Sequence, residues 1–477
     1  MEECRVLVIA VIVVGGIYWW LKRRLSFWAH RGLAYVKPRL LMGNLRKKHH
    51  IALAIGECYS KLRVKAQLGG FYFLQRAFLI PLNAHLVGRI LTVDSSYFTQ
   101  YPSHGQDYGA LKRDLGTIES TWRNMWVHAV DIARDFSTEI HQSGTNGQKI
   151  DAFDASITYN VKILATSFLG LTPKDTKLVD LEKLARKHLK WSGLEHKKFL
   201  LCHSFPQISS IMGIPECDDR EKSFGKLISK QINKGRGDKC YQRLIRITEG
   251  LNGQRPKEKI DMDKLAKGAF GLFIAGIEAS VATMAFCMYE LAKSQDIQNK
   301  LRREIRHILT KHTHHITYET LAHMKFMDAV IFETLRKYPP IGSIWRVTSK
   351  EYYVPNSTYI IEKGIPIALP IFAIHHDPQY YSKPEEFDPG RFTREVFDEA
   401  ANITFMPFGR RDPICIEMHF ALMQIKLMLV LLLKESRIIR YGKGSPDALA
   451  INPQSPILIP KNRIWLCVEK LQDSTEI

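Results

Sequence analysis

The run Glu333-Thr334-Leu335-Arg336-Lys337-Tyr338-Pro339-Pro340 closes a helical pattern that begins near Tyr318, because consecutive prolines cannot continue a helix. Glu333 and Arg336 stand on one helical face, where acid and base can pair. By itself such a pair carries little, since most are solvated surface contacts. Further on, Phe387-Asp388-Pro389-Gly390-Arg391-Phe392 is a proline-bounded turn that presents an arginine between two aromatics. Then Phe408-Gly409 leads to Cys415, just before an apolar helix expected over Glu417 to Leu433. A lone cysteine is ordinarily a small buried hydrophobe. The order of the three features is what makes this one a candidate for chemistry.

Working outward, the longest helix is expected from Met262 to Ala292, with an almost wholly apolar middle that implies burial on nearly every side. A helix over Asp296 to Leu309 precedes the one from Tyr318 to Arg336. Earlier in the chain, helical periodicity covers Leu86 to Leu91, Trp122 to Ile140, Ile150 to Phe168 and Leu178 to Leu189. Strands are expected as a pair within Gly69 to Asn83, and as short pieces at Tyr352 to Pro355 and Tyr359 to Ile361. Val6 to Leu21 is an uncharged apolar run followed by Lys22-Arg23-Arg24. With Trp19, Trp20 and Lys22 at its edge it reads as an uncleaved membrane anchor, the positive flank leaving the rest cytosolic. The expected organisation is an anchor over 1–24, a hinge over 25–50 and one domain over 51–477.

The formal charge of +20 suits an anionic membrane face, an acidic protein partner or nucleic acid. Lys and Arg are spread without a nucleic-acid-binding motif, so no nucleic acid partner is expected. The eight cysteines stand singly, with no CxxC pair, which argues against a disulfide framework and fits a reducing compartment.

Taken together, the three features resemble the signature of the cytochrome P450 family (P-450): the E-x-x-R helix, the meander ending in P-x-R-F, and the Cys loop before the proximal helix. Ala275-Gly276-Ile277-Glu278 is similar to that family's oxygen-binding kink in the central helix. Arg31-Gly32 through Gly43-Asn44-Leu45, and Pro460-Lys461-Asn462-Arg463-Ile464-Trp465-Leu466, look like its insect microsomal detoxification branch. The similarity spans nearly the whole chain.

This resemblance implies a mainly α fold with a small β part, the cytochrome P-450 fold, in which 51–477 is a single haem-thiolate catalytic domain. It implies haem b, iron protoporphyrin IX, with Cys415 as the ligand of the haem iron. Thiolate would push electron density through the metal, and the helix start would stabilise its charge. Phe408 would pack beside the sulfur; Arg346, Trp122 and Arg123 would meet the haem propionates; Glu278 would be the catalytic acid. Glu333, Arg336 and Arg391 would form a buried cluster supporting the haem loop. Phe270, Phe273 and Ile274 would line the distal side, or simply pack in the core. The implied partners are a flavoprotein reductase passing electrons from NADPH, a lipophilic small-molecule substrate, and the endoplasmic reticulum membrane.

The chain departs from that pattern. Where the family's loop has the form F-G-x-G-x-R-x-C-x-G, Arg411 replaces a glycine, Pro413 replaces a propionate-binding arginine, and Glu417 replaces the glycine after the ligand. Trp126 stands where a second propionate arginine is expected, and Ala279 replaces the alcohol after the acid. Ser280 lies about 100° further round the helix. Three readings follow: a monooxygenase, a degenerate member that keeps the fold without catalysis, and a haem-thiolate isomerase or dehydratase acting on a peroxide.

Overall fold

The computed structural model describes residues 2–46, 48–101, 115–145, 149–169, 171–172, 175–205, 219–234, 262–393, 403–410, 418–442 and 449–471. Its architecture is mainly α, with two large hydrophobic clusters and a small third one around Ala329, Tyr381 and Phe392 among the described residues. The largest gathers around the central helix, Met262–Lys293, which is packed by the helices Ala152–Leu169, Lys177–Leu189, Asp219–Lys234 and Met418–Leu433, with Leu115–Thr145 lying against Ala152–Leu169 and Met418–Leu433. By length and apolarity the central helix could cross a membrane, but 78% of its most apolar window is buried in the protein, which makes it a core helix. Phe270 and Phe273 pack there against the fully buried ring of Phe224, so core packing is a role the structure gives them.

The second cluster sits on a sheet of five strands in the order Leu68–Phe73, Arg76–Pro81, Pro366–Leu369, Ile344–Thr348 and Phe98–Gln100. The first two form the expected hairpin, with Leu68 opposite Pro81 and Phe73 opposite Arg76. Ile344–Thr348 and Pro366–Leu369 carried no alternating pattern and were not expected. The first is partly buried along most of its length and the second wholly buried, so neither shows one wet and one dry face. Tyr352–Tyr353 and Ile360–Ile361 pair with each other as a separate short ribbon.

The single helix expected from Tyr318 to Arg336 is two helices, Tyr318–Ala322 and Lys325–Lys337. The reason lies elsewhere in the chain. Glu304, on the neighbouring helix Gln295–Lys311, accepts hydrogen bonds from the N–H groups of Phe326 and Met327 at 2.7 and 2.9 Å. These are first-turn donors that a new helix start leaves open.

The N-terminal helix Glu2–Leu25 is exposed along its apolar run, but its end is not: Leu21 and Leu25 are buried, and Arg24 lies over the ring of Phe205. Within 25–50, the stretch expected as a hinge, several described residues are packed against the body. Trp28 is fully buried, and Tyr35 and Gly43 form bridges to the hairpin at Gly70 and Phe73. Asn44 accepts from the Tyr72 N–H at 2.7 Å. A Cβ at Gly70 would meet the Trp28 ring at 2.5 Å, so that close approach requires glycine.

Candidate functional site

The helix Lys325–Lys337 buries Glu333 and Arg336 completely. Arg336 grips the carboxylate with Nε and Nη2 at 2.7 and 2.8 Å, a bidentate geometry that fixes both groups. Arg391 approaches the same carboxylate at 3.5 Å, and the Asp388 N–H donates to it at 2.9 Å. The meander and the E-x-x-R pair therefore meet on one acid. Burial raises the Glu333 carboxyl, while Arg336, the Asp388 N–H and Arg391 lower it. With two arginines in reach we hold it ionised.

The remaining donors of Arg336 extend the cluster. Nη1 donates to the His375 carbonyl at 2.9 Å, and Nη2 to that of Glu386 at 3.2 Å. The His375 ring in turn accepts from the Met406 N–H at 3.1 Å and stacks on Phe405. Burial, and the neighbouring charges of His376 and Arg336, hold His375 well below the usual histidine range. A neutral ring is what an accepting Nε2 requires. The segment 403–410, which leads to Cys415, is thus tied to Arg336 through one histidine.

On the central helix, Glu278 Oε1 lies 2.7 Å from His188 Nε2 of the helix Lys177–Leu189. Their side chains are 20% and 8% exposed. Beyond Ala279, Ser280 turns to the opposite side and accepts from Gln424 Nε2 at 2.9 Å, and Asn160 Nδ2 donates to Gln424 Oε1 at 3.1 Å. Thr283 Oγ1 donates to the Ala279 carbonyl. The alcohols of this turn are therefore engaged away from the acid.

Arg346, on Ile344–Thr348, donates to the Trp345 carbonyl at 2.9 Å and pairs with no carboxylate among the described residues. Burial lowers its guanidinium from the ordinary value. A desolvated cation without an acid leaves an anion's place open.

A family model described as cytochrome P450 matches residues 117–468. The chain belongs to the cytochrome P450 family. Among its relatives, it is 28% identical to "Probable cytochrome P450 6a23" of Drosophila melanogaster over 98% of this chain and 99% of that one. It is 27% identical to "Cytochrome P450 6a8" of the same fly, covering 97% and 98%, and 26% identical to "Cytochrome P450 6A1" of Musca domestica, covering 94% of each. These are insect P450s, as the terminal motifs indicated.

Haem is the group that P450 membership implies, and the desolvated Arg346, with no carboxylate partner among the described residues, fits the carboxylates such a group carries. Of the other residues read from the sequence, Phe408 is partly buried and packs on the larger core cluster. Trp122 and Arg123 fall on the helix Leu115–Thr145, with side chains outside the described residues. Cys415, with Arg411, Pro413 and Glu417, also lies outside them. Trp126, at the expected arginine position, packs edge-on against Tyr318. Sequence reasoning missed His188 and His375. Neither carries a local signal, since each acquires its partner from a distant segment.

Proposed function

We propose that this P450 is a haem-thiolate monooxygenase of the endoplasmic reticulum membrane, inserting one oxygen atom into a lipophilic small molecule and passing the other to water. Electrons would come from NADPH through a flavoprotein reductase. The observation that carries the reading is the completed Glu333, Arg336 and Arg391 cluster, with its link through His375 to the segment before Cys415. Such a network is costly to break: leaving a buried charge without its partner loses about 3–5 kcal/mol. Its preservation supports a working proximal side.

In this reading Cys415 holds the haem iron, Phe408 shields the sulfur from water, and Arg346 meets a propionate, helped by Arg123 and Trp122. Bound haem supplies oxygen activation, its thiolate ligand donating electron density through the metal. Glu278 holds the proton that the reaction consumes. The N-terminal helix fixes the chain to the membrane, where lipophilic substrates partition.

The degenerate reading is favoured by Pro413 and Glu417, which remove a guanidinium and add a carboxylate beside the thiolate. The difference spectrum of the reduced protein with carbon monoxide separates the two. The long-wavelength band that gives the family its name is the expected result; absence of any haem band would support the degenerate reading. A band together with turnover on a peroxide, without reductase, would favour the isomerase or dehydratase.

A further inference from the structure

We propose that His188 is the proton-relay partner of Glu278, a positioning residue that acts through that carboxylate. The inference rests on the monooxygenase reading and deepens it at the same site. Glu278 is the one carboxylate or amine between Lys267 and Glu290 on the central helix. The residue after it is Ala279, which has no hydroxyl. Ser280 is held by Gln424, and Thr283 donates to the Ala279 carbonyl. His188 is the polar side chain that the structure brings to the acid, at 2.7 Å.

The ring is placed to pass a proton onward. Nε2 faces Glu278, while Nδ1 is buried with no hydrogen-bond partner among the described residues. An imidazole has two nitrogens that act in turn. As Nε2 gives its proton to the carboxylate, Nδ1 takes one from a hydronium ion of the solvent, which is left as water. One proton moves, and the ring ends neutral in its other tautomer, with no electron transferred. A structural contact would need only the Nε2 side, since leaving a buried acceptor bare costs free energy. The helix Lys177–Leu189 packs against the central helix, so the relay arrives from outside the stretch whose alcohol is missing.

The test uses the full-length protein in detergent, with His188→Gln and His188→Leu. Glutamine keeps a donor for Glu278 but cannot exchange a proton between two nitrogens. A carbon monoxide spectrum comes first: no haem band in the parent protein sinks the monooxygenase reading, and the proposal with it. With haem present, peroxide released per NADPH consumed in the presence of reductase is expected to rise roughly threefold or more in both variants. The melting temperature should fall in His188→Leu alone. If His188→Gln releases peroxide as the parent does, the pair is only structural and the proposal is overturned. A heat-unfolding cycle of His188→Leu with Glu278→Leu reads the contact without turnover. Non-additive shifts are expected, and additive shifts would overturn the pairing. Should His188→Leu fail to fold, His188→Gln still decides the relay.

Discussion

Arg336 donates from Nη1 to the carbonyl oxygen of His375 at 2.9 Å, and this bond helps join the buried ion pair to the approach of the Cys loop. His375 relays the restraint because its ring holds the Met406 N–H. Replacing Arg336 with lysine keeps the charge but removes the planar fork that serves Glu333 and two carbonyls at once. Arg336→Lys is therefore expected to lose about 1–3 kcal/mol of stability through the acceptors left unsatisfied, read by chemical unfolding. Purified protein should also carry less haem per chain.

Gln424 bridges Ser280 and Asn160 within the core. Leucine at that position would leave the Asn160 amide and the Ser280 hydroxyl buried without that partner. Gln424→Leu is expected to cost about 1–3 kcal/mol. A heat-unfolding midpoint equal to that of the parent would show that the bridge contributes nothing.

Burial pushes His50 and His376 down to about 4, and His375 well below the usual range. In the unfolded chain each takes a proton near about pH 6.5. Below that pH the unfolded state binds more protons, so stability falls as pH falls. It should be flat from neutral pH upward as far as these groups are concerned, and decline between about pH 6.5 and 4. Unfolding free energies measured across that window check the sign, and His50→Gln should flatten part of the slope.

Cys415→Ala is expected to abolish the carbon monoxide band; a persisting band would mean another residue holds the iron. The reverse change is also informative. In the proposed haem-thiolate reading, Pro413→Arg and Glu417→Gly would return a propionate donor and remove a like charge from the sulfur. The double variant should retain more haem per chain on purification.

The fold was legible where periodicity is long. The central helix and the hairpin were expected almost to their observed ends, because each buries a face its own sequence displays. The division at His323 and Met324 was not legible, since Glu304 supplies the caps from another helix. Among the site residues, Glu333, Arg336 and Arg391 were readable through the family resemblance their motifs carry, and the structure brings them together. The attachment of Glu278 to His188 was hidden, as a histidine on an amphipathic helix looks the same whether it packs or pairs. The packing of residues 25–50 was hidden too: their Gly and Pro punctuation matches a flexible connector, while the Trp28 ring against Gly70 depends on the tertiary fold.

That packing has a mechanical consequence. Leu21 and Leu25 are buried and Arg24 rests on Phe205, so the apolar helix leaves the body of the protein with no slack segment between them. In the proposed membrane-anchored form, the body would not swivel freely as it would on a tether. Its tilt would be set by the helix like that of a flag fixed to its pole, with the same surface kept turned to the proposed bilayer.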